Sequence, residues 1–281
     1  MKPVIKYQGG KTRELKTINT MLPCNYERVV EPFCGGAALS FSLGKPAVLT
    51  DINHQVINLY KVIADDNLYP KLQEVVDLYK TYDHDKLSPI YYDARSVINQ
   101  NNEDNDPLTK AISYIVVRQL CFSGMERYNS KGEFNVPFGH YKTMPCNLSY
   151  EHHKFLKTCD IKQESFVNLF NRITSNDFVF LDPPYLERLG YTQGDGGEKL
   201  HTDLLECCKT TKASWLIIHS DHEFYRENYK DFFIETKNFN YSQRFVKNKD
   251  HSNSKVQHLY ISNYPLEEVL NLEKFFKSDE D

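Results

Sequence analysis

Apolar and polar positions divide the chain into stretches of different period. In the first 61 residues, Arg28-Val29-Val30-Glu31-Pro32-Phe33 reads as a short strand ending in Cys34-Gly35-Gly36. Ala37 to Gly44 reads as a helix, and Ala47-Val48-Leu49-Thr50 as a second strand closed by Asp51. Strand, glycine turn, helix, strand and acid form the grammar of a nucleotide-binding crossover unit. From Val62 to Tyr82 the period becomes helical, with apolar residues at Leu68, Leu72, Val75, Val76 and Tyr79. Asn99 to Pro107 is polar, and a further helix is predicted over about 108–121. Met125–Tyr128 and Glu133–Val136 then read as two strands around Asn129-Ser130-Lys131-Gly132. Asn and Gly there supply the positive φ that a tight hairpin turn needs. Beyond residue 155 strands resume. Asp177-Phe178-Val179-Phe180-Leu181-Asp182 is nearly all apolar, as a central strand covered on both faces should be. Trp215–Ser220 and His258–Ser262 follow, and Leu266 to Asp281 reads as a short helix with an acidic end. The patterns predict one α/β domain from residues 1–61 and 151–281, interrupted by a mostly helical block at 62–150 that bears a β-hairpin.

Composition narrows the class. A chain of 281 residues can bury a core without disulfide or metal staples. With 40% apolar and 26% charged residues it is expected to be soluble and globular, not disordered. Its apolar runs are far shorter than the ~20 residues that span a bilayer, and the polar stretch after Met1-Lys2-Pro3 is not a signal peptide. Seven cysteines without a Cys-x-x-Cys pair are read as buried free thiols in a reducing cytoplasm. His219, His222 and the His152-His153 pair lack the spacing of ligands, so no metal is expected. Tyr60, Tyr79, Tyr82, Tyr91 and Tyr92 are read as helix packing.

Three motifs carry candidate chemistry. Asp182-Pro183-Pro184-Tyr185 follows a buried strand. Two prolines stop ladder pairing and fix φ twice, giving a rigid elbow where α/β ligands bind. The Asp182 carboxylate and the Pro183 carbonyl suit the two protons of an exocyclic amine, and Tyr185 offers a face for a planar ring. An ordinary Pro-Pro turn with an incidental acid is the simpler alternative. Glu31-Pro32-Phe33-Cys34-Gly35-Gly36 with Asp51 downstream combines a turn that a ligand can approach with an acid suited to a ribose diol. It is not a dinucleotide fingerprint, and no Walker-type loop is present. Lys6-Tyr7-Gln8-Gly9-Gly10-Lys11 suits a loop around a polar or anionic ligand, or equally a solvated charged segment.

In this order, and with Phe122-Ser123-Gly124-Met125-Glu126-Arg127-Tyr128-Asn129 through Gly132-Glu133-Phe134-Asn135-Val136-Pro137-Phe138-Gly139, the motifs resemble the Dam-type DNA adenine methyltransferases, the alpha class of adenine-specific enzymes. The resemblance runs from residue 6 to about 262. It implies a Rossmann-like S-adenosylmethionine-dependent methyltransferase sheet with an inserted target-recognition domain. By position it implies that Tyr7, Lys11, Glu31, Phe33, Gly35, Gly36, Asp51, Ser165, Phe166 and Asp182 line the S-adenosylmethionine site. Asp182, Pro183, Pro184 and Tyr185 would hold a flipped adenine. Lys6, Phe122, Ser123, Met125, Arg127, Asn135, Pro137 and Tyr141 would meet double-stranded DNA. Methylation within GATC or another GAT-containing site is implied, as is a restriction endonuclease sharing that site. So is a cytoplasmic location, or the host compartment containing DNA if the protein is viral. Two departures stand out. His258 occupies a position where many relatives have glutamate, and Leu186 to Gly197 is more similar to the EcoRV-type modification methylase. Methylation of another planar amine (cytosine in DNA, an RNA base, a glutamine amide) is the competing activity, and a catalytically silent DNA-binding module the competing class. Asp before Pro-Pro-Tyr favours adenine, and a complete Tyr7, Lys11, Asp51 and Asp182 set favours an active enzyme.

A net charge of −4 counts against a nucleic-acid binder, but the charge is uneven. Residues 62–110 sum to −5 and 266–281 to −4, whereas 1–20 and 237–255 each sum to +4 and 120–145 to +1. One basic cleft on an acidic body is therefore expected, with binding that weakens as salt rises.

Overall fold

The structure, a computed structural model, describes residues 1–100, 106–186, 197–240 and 255–266. Strands β1 (Arg28–Glu31), β2 (Ala47–Asp51), β3 (Asp160–Gln163), β4 (Asp177–Leu181), β5 (Ser214–Ser220), β6 (Phe233–Asn240) and β7 (Lys255–Ser262) form one sheet in the order β3-β2-β1-β4-β5-β7-β6. The first five run parallel, and β7 is antiparallel to both β5 and β6. Alternation along the strands builds two cores. Val29, Leu49, Phe178, Phe180, Leu216 and Ile218 join one cluster, and Val30, Val48, Val179, Leu181 and Ile217 the other. Both faces are therefore covered, as the apolar run of β4 predicts. The expected α/β class and its Rossmann-like methyltransferase sheet are what the chain forms.

Ten α-helices are described: α1 (Leu15–Asn19), α2 (Ala38–Leu43), α3 (His54–Ala64), α4 (Leu68–Lys80), α5 (His84–Asn99), α6 (Pro107–Leu120), α7 (Tyr150–Leu156), α8 (Phe166–Phe170), α9 (Gly197–Thr210) and α10 (Glu223–Asn228). The single helix expected from Val62 to Tyr82 is two. The Asp65 carboxylate accepts the N–H groups of Asn67 (2.8 Å) and Leu68 (2.9 Å), which starts α4 afresh. Helix α5 was not anticipated, because Pro89 lies inside it and interrupts the pattern. Asp106 caps α6, and Pro107 opens it.

The segments read as hairpin strands pair antiparallel, but too briefly to form a regular ladder. Pairing is confined to bridges of Tyr128 with Phe134 and Cys121 with Phe138. From α5, Tyr91 Oη and Arg95 Nη1 both donate to the Val136 carbonyl, at 2.7 and 3.1 Å. Asn99 exchanges two hydrogen bonds with the Phe134 backbone, at 2.8 and 2.9 Å. The segments still meet through two backbone bonds, Asn129 N–H to the Glu133 carbonyl (2.9 Å) and Asn135 N–H to the Arg127 carbonyl (3.0 Å), and α5 side chains take up the outward-facing groups of Phe134 and Val136. The expected terminal helix and most of the basic stretch at 237–255 lie outside the described residues.

Two cysteine and tyrosine expectations change. Cys34, Cys121 and Cys208 are buried free thiols, but Cys24 is exposed. Tyr60 and Tyr91 are fully buried, whereas Tyr92 is exposed.

Candidate active site and nucleic-acid interface

The strand order reverses between β1 and β4, and the carboxyl ends flanking such a reversal are where open α/β sheets bind ligands. Glu31 to Gly36 leaves β1 there, and Asp182 to Tyr185 leaves β4 beside it. Lys11, from the N-terminal loop, crosses between them. Its Nζ lies 2.5 Å from Asp182 Oδ1 and 2.8 Å from the Gly9 carbonyl, and its side chain is only 3% exposed. Burial pushes the Asp182 carboxyl above its ordinary range, and the Lys11 charge pulls it back.

The glycines of the β1 turn make room for a protein ring. A Cβ on Gly35 would lie 2.6 Å from Tyr7 Cε1, and one on Gly36 would lie 3.1 Å from Tyr7 Cβ. Gly35 also has φ +41°, so side chain and backbone both demand glycine there. Asp51 Oδ2 accepts the Gly35 N–H at 2.9 Å, and its Oδ1 accepts that of Asn53 at 2.9 Å. Tyr60 Oη donates to the Gly35 carbonyl at 2.7 Å, a role beyond the packing assigned to it. Phe33 packs on Phe166 with ring centroids 5.3 Å apart, and Ser165 caps α8 through the Val167 N–H. All ten residues expected around the cofactor are thus on or beside this turn, the N-terminal loop, the elbow and α8.

Two carboxyls here are poised high. Glu31 is raised to about 7 by burial, opposed by the Ser40 N–H that it accepts at 2.8 Å. Asp51 is raised to about 6, again by burial. A carboxyl that holds its proton to about pH 7 when folded, against an ordinary 4.5, binds more protons folded than unfolded between those values. Its contribution to stability is complete below the lower value and lost as pH rises through the upper one. Glu31→Gln keeps an acceptor for Ser40 without the ionisation. The variant is expected to exceed the parent by about 2 kcal/mol at pH 8 and to match it near pH 5. Denaturant unfolding at the two pH values measures this, and parallel pH dependence in both proteins would contradict it.

The elbow is backed by histidines. Tyr185 lies 4.8 Å from the His219 ring and 5.6 Å from the His258 ring, centroid to centroid. His219 Nδ1 lies 2.9 Å from the Ser220 carbonyl, so it carries the proton, and Nε2 accepts the Leu186 N–H at 3.2 Å. Burial lowers His219 to about 3, which keeps it neutral. His152 and His153 bond backbone carbonyls of Lys2 and Ile63. Among the described residues, no group of three or more His, Cys, Asp or Glu could hold a metal, and no helix is long and apolar enough to cross a membrane.

The residues expected to meet DNA form a second, adjoining surface. Phe122, Ser123, Arg127 and Pro137 are exposed; Lys6, Met125, Asn135 and Tyr141 are half-buried. Lys6 Nζ bonds the Gln119 carbonyl at 2.8 Å and sits 3.9 Å from the centre of the Tyr141 ring. The Phe122 N–H donates to the Pro137 carbonyl at 2.9 Å. Arg127 donates through Nε to Asn135 Oδ1 at 2.7 Å and through Nη2 to the Asn135 carbonyl at 3.1 Å, so its guanidinium is pre-oriented. Arg118, which sequence reasoning missed, ties the two surfaces together. Its side chain is 2% exposed; Nε donates to the Lys6 carbonyl (3.0 Å) and Nη2 to that of Gly124 (3.2 Å). A charged residue inside the apolar run Tyr114 to Leu120 was the signal available.

A Rossmann-like sheet with these two loops at its switch point is consistent with a methyltransferase. The chain belongs to the D12 class of N6 adenine-specific DNA methyltransferases, whose family model matches residues 7–243. It is 35% identical over 275 residues to the type II methyltransferase M.CviBI of Paramecium bursaria Chlorella virus, across 94% of this chain and all of that protein. It is 31% identical over 246 residues to the DNA adenine methylase of Haemophilus influenzae, across 81% of this chain and 82% of the relative. A type II methyltransferase of Lactococcus lactis, M1.LlaDCHI, is 28% identical over 280 residues, across 94% of this chain and 96% of the relative. The protein is an adenine-specific DNA methyltransferase.

Proposed function

We propose that the donor is S-adenosylmethionine, held between the Gly35 turn and the Asp182 elbow, and that the acceptor is an adenine flipped out of duplex DNA against Tyr185. The supporting observation is the juxtaposition of the β1 turn and the β4 elbow across Lys11. The residues present fit such a donor. Glu31, Asp51 and Asp182 are acids at the strand ends whose carboxyls burial pushes up, which suits a ligand carrying positive charge. The donor, when bound, supplies an electrophilic methyl on a sulfonium.

The protein's own part is alignment and charge. Lys11 fixes the plane of the Asp182 carboxylate. Asp182 and the Pro183 carbonyl accept the two protons of the adenine amine, which favours a tetrahedral nitrogen and offsets its developing positive charge. A target base cannot be reached inside the duplex, so it must be flipped, with Tyr185 stacking on it. Residues 62–150 act as the target-recognition block, in which Phe122 and Met125 lie against bases, Lys6 and Arg127 read guanine, and Pro137 packs on a thymine methyl. The site is GATC or another GAT-containing sequence, and a restriction endonuclease that cuts it is the matching partner.

Methylation of plasmid DNA with labelled S-adenosylmethionine, followed by digestion with methylation-sensitive nucleases, tests this reading. Label in adenine and protection at GAT-containing sites are expected; label in cytosine or RNA, or none, would overturn it. Arg127→Ala is expected to lose roughly 1–3 kcal/mol of discrimination at one base pair, measured across a panel of single-substitution duplexes. A profile unchanged at every position would remove Arg127 from base reading.

A further inference from the structure

Behind the elbow lies a buried polar chain that the mechanism above does not use. Glu14, 4% exposed, stands just before α1. Its Oε2 receives two hydrogen bonds from β7, one from His258 Nδ1 at 2.8 Å and one from Tyr260 Oη at 2.7 Å. Residues two apart on a strand share a face, so β7 presents both donors together. A buried carboxylate is costly unless it is compensated. Burial would raise Glu14, but the bonds from His258 and Tyr260 and the charge of Lys11 hold it below its ordinary range. His258 is itself fully buried, and with Nδ1 committed to Glu14 its ring plane is fixed. Its opposite nitrogen, Nε2, then points at Tyr185 Oη, 3.5 Å away, with the two rings at 87°.

We propose that His258 is a positioning residue for methyl transfer: anchored by Glu14, it sets the orientation of the Tyr185 ring on which the target base stacks. The inference rests on the assignment of Asp182 to Tyr185 as the adenine pocket. Lys11 strengthens it, because its ammonium, 5.2 Å from the centre of the Tyr185 ring, also holds Asp182. Base-stacking ring and amine-binding acid are thereby set by one connected group of side chains, Glu14, His258, Tyr185, Lys11 and Asp182. His258 is the link between the anchored acid and the ring.

A double-mutant cycle tests the proposal. Tyr185→Phe removes only the hydroxyl that faces His258. His258→Phe keeps a ring while removing both nitrogens. Each is expected to slow single-turnover methylation about tenfold, with the dissociation constants for S-adenosylmethionine and for DNA changed less than twofold, and the double variant is expected to be no slower than either single one. Multiplicative losses, or an unchanged rate in folded Tyr185→Phe, would overturn it. Should His258→Phe fail to fold, Tyr185→Phe alone and Tyr185→Phe combined with Glu14→Gln carry the same test. Asp182→Asn in the same assay separates the two levels. A fully active Asp182→Asn protein defeats the pocket assignment, whereas an inactive one beside additive Tyr185 and His258 losses defeats only the positioning role.

Discussion

Replacement of Asp182 by alanine is expected to reduce methyl transfer by about 10²–10³-fold or more in single-turnover assays, the scale seen when one preorganised group facing developing charge is removed. The pair with Lys11 shapes how that experiment should be run. Lys11 is 3% exposed and is held at 2.5 Å by the carboxylate. Removing the carboxylate leaves a buried ammonium facing a void, which costs several kcal/mol when one partner of a buried pair is lost. The alanine protein is therefore expected to unfold at lower temperature as well as to be inactive. Asp182→Asn keeps the shape and an acceptor oxygen for Lys11 but loses the charge, so it avoids the void while still removing the carboxylate. Normal turnover by a folded alanine protein would refute the role given to Asp182.

Arg118→Met is expected to be the most destabilising change outside the pocket. The guanidinium donates to the carbonyls of Lys6, Gly124 and Met125, at 3.0, 3.2 and 3.4 Å, and lies 3.5 Å from the Glu126 carboxylate. Burial works against its charge, but Glu126 and its other neighbours raise its pKa further, so it is always a cation. Methionine fills similar volume yet takes the guanidinium donors from the Lys6 and Gly124 carbonyls and the positive charge from beside Glu126. A loss of about 3–5 kcal/mol follows, or a fall in Tm of roughly 10 °C for a chain of this size. Thermal unfolding checks it. Because the same residue joins the loop of Tyr7 and Lys11 to that of Arg127, DNA affinity should weaken with stability, and a Tm within about 2 °C of the parent would contradict the assignment.

The centre of the fold was legible because its signals are local. β1, β2, β4 and β5 are buried apolar runs with punctuation at both ends, and the elbow and the glycine turn follow them directly. Elements governed by side chains far away in sequence were not legible. β6, Phe233-Ile234-Glu235-Thr236-Lys237-Asn238-Phe239-Asn240, is an edge strand without a clean alternation. Helix α5 hides behind Pro89, and only through α5 does it become clear where the outward-facing backbone groups of Phe134 and Val136 find partners. Candidate cofactor and DNA residues could be proposed from motifs, but the residues that support them could not. Arg118 bonds a residue 112 positions away, and Glu14 one 244 positions away. No window on the sequence spans such distances.

The bonds from β7 to Glu14 also set an order of events during synthesis. A nascent chain that has emerged through residue 254 already holds the glycine turn, Lys11 and the elbow, but Glu14 still lacks His258 and Tyr260. It also lacks the strand that pairs with both β5 and β6. Such long-range pairing is slow to form and comes late. A half-made chain therefore carries Glu14 without the two donors that hold its carboxylate, and this anchor is the last part of the central sheet to be completed.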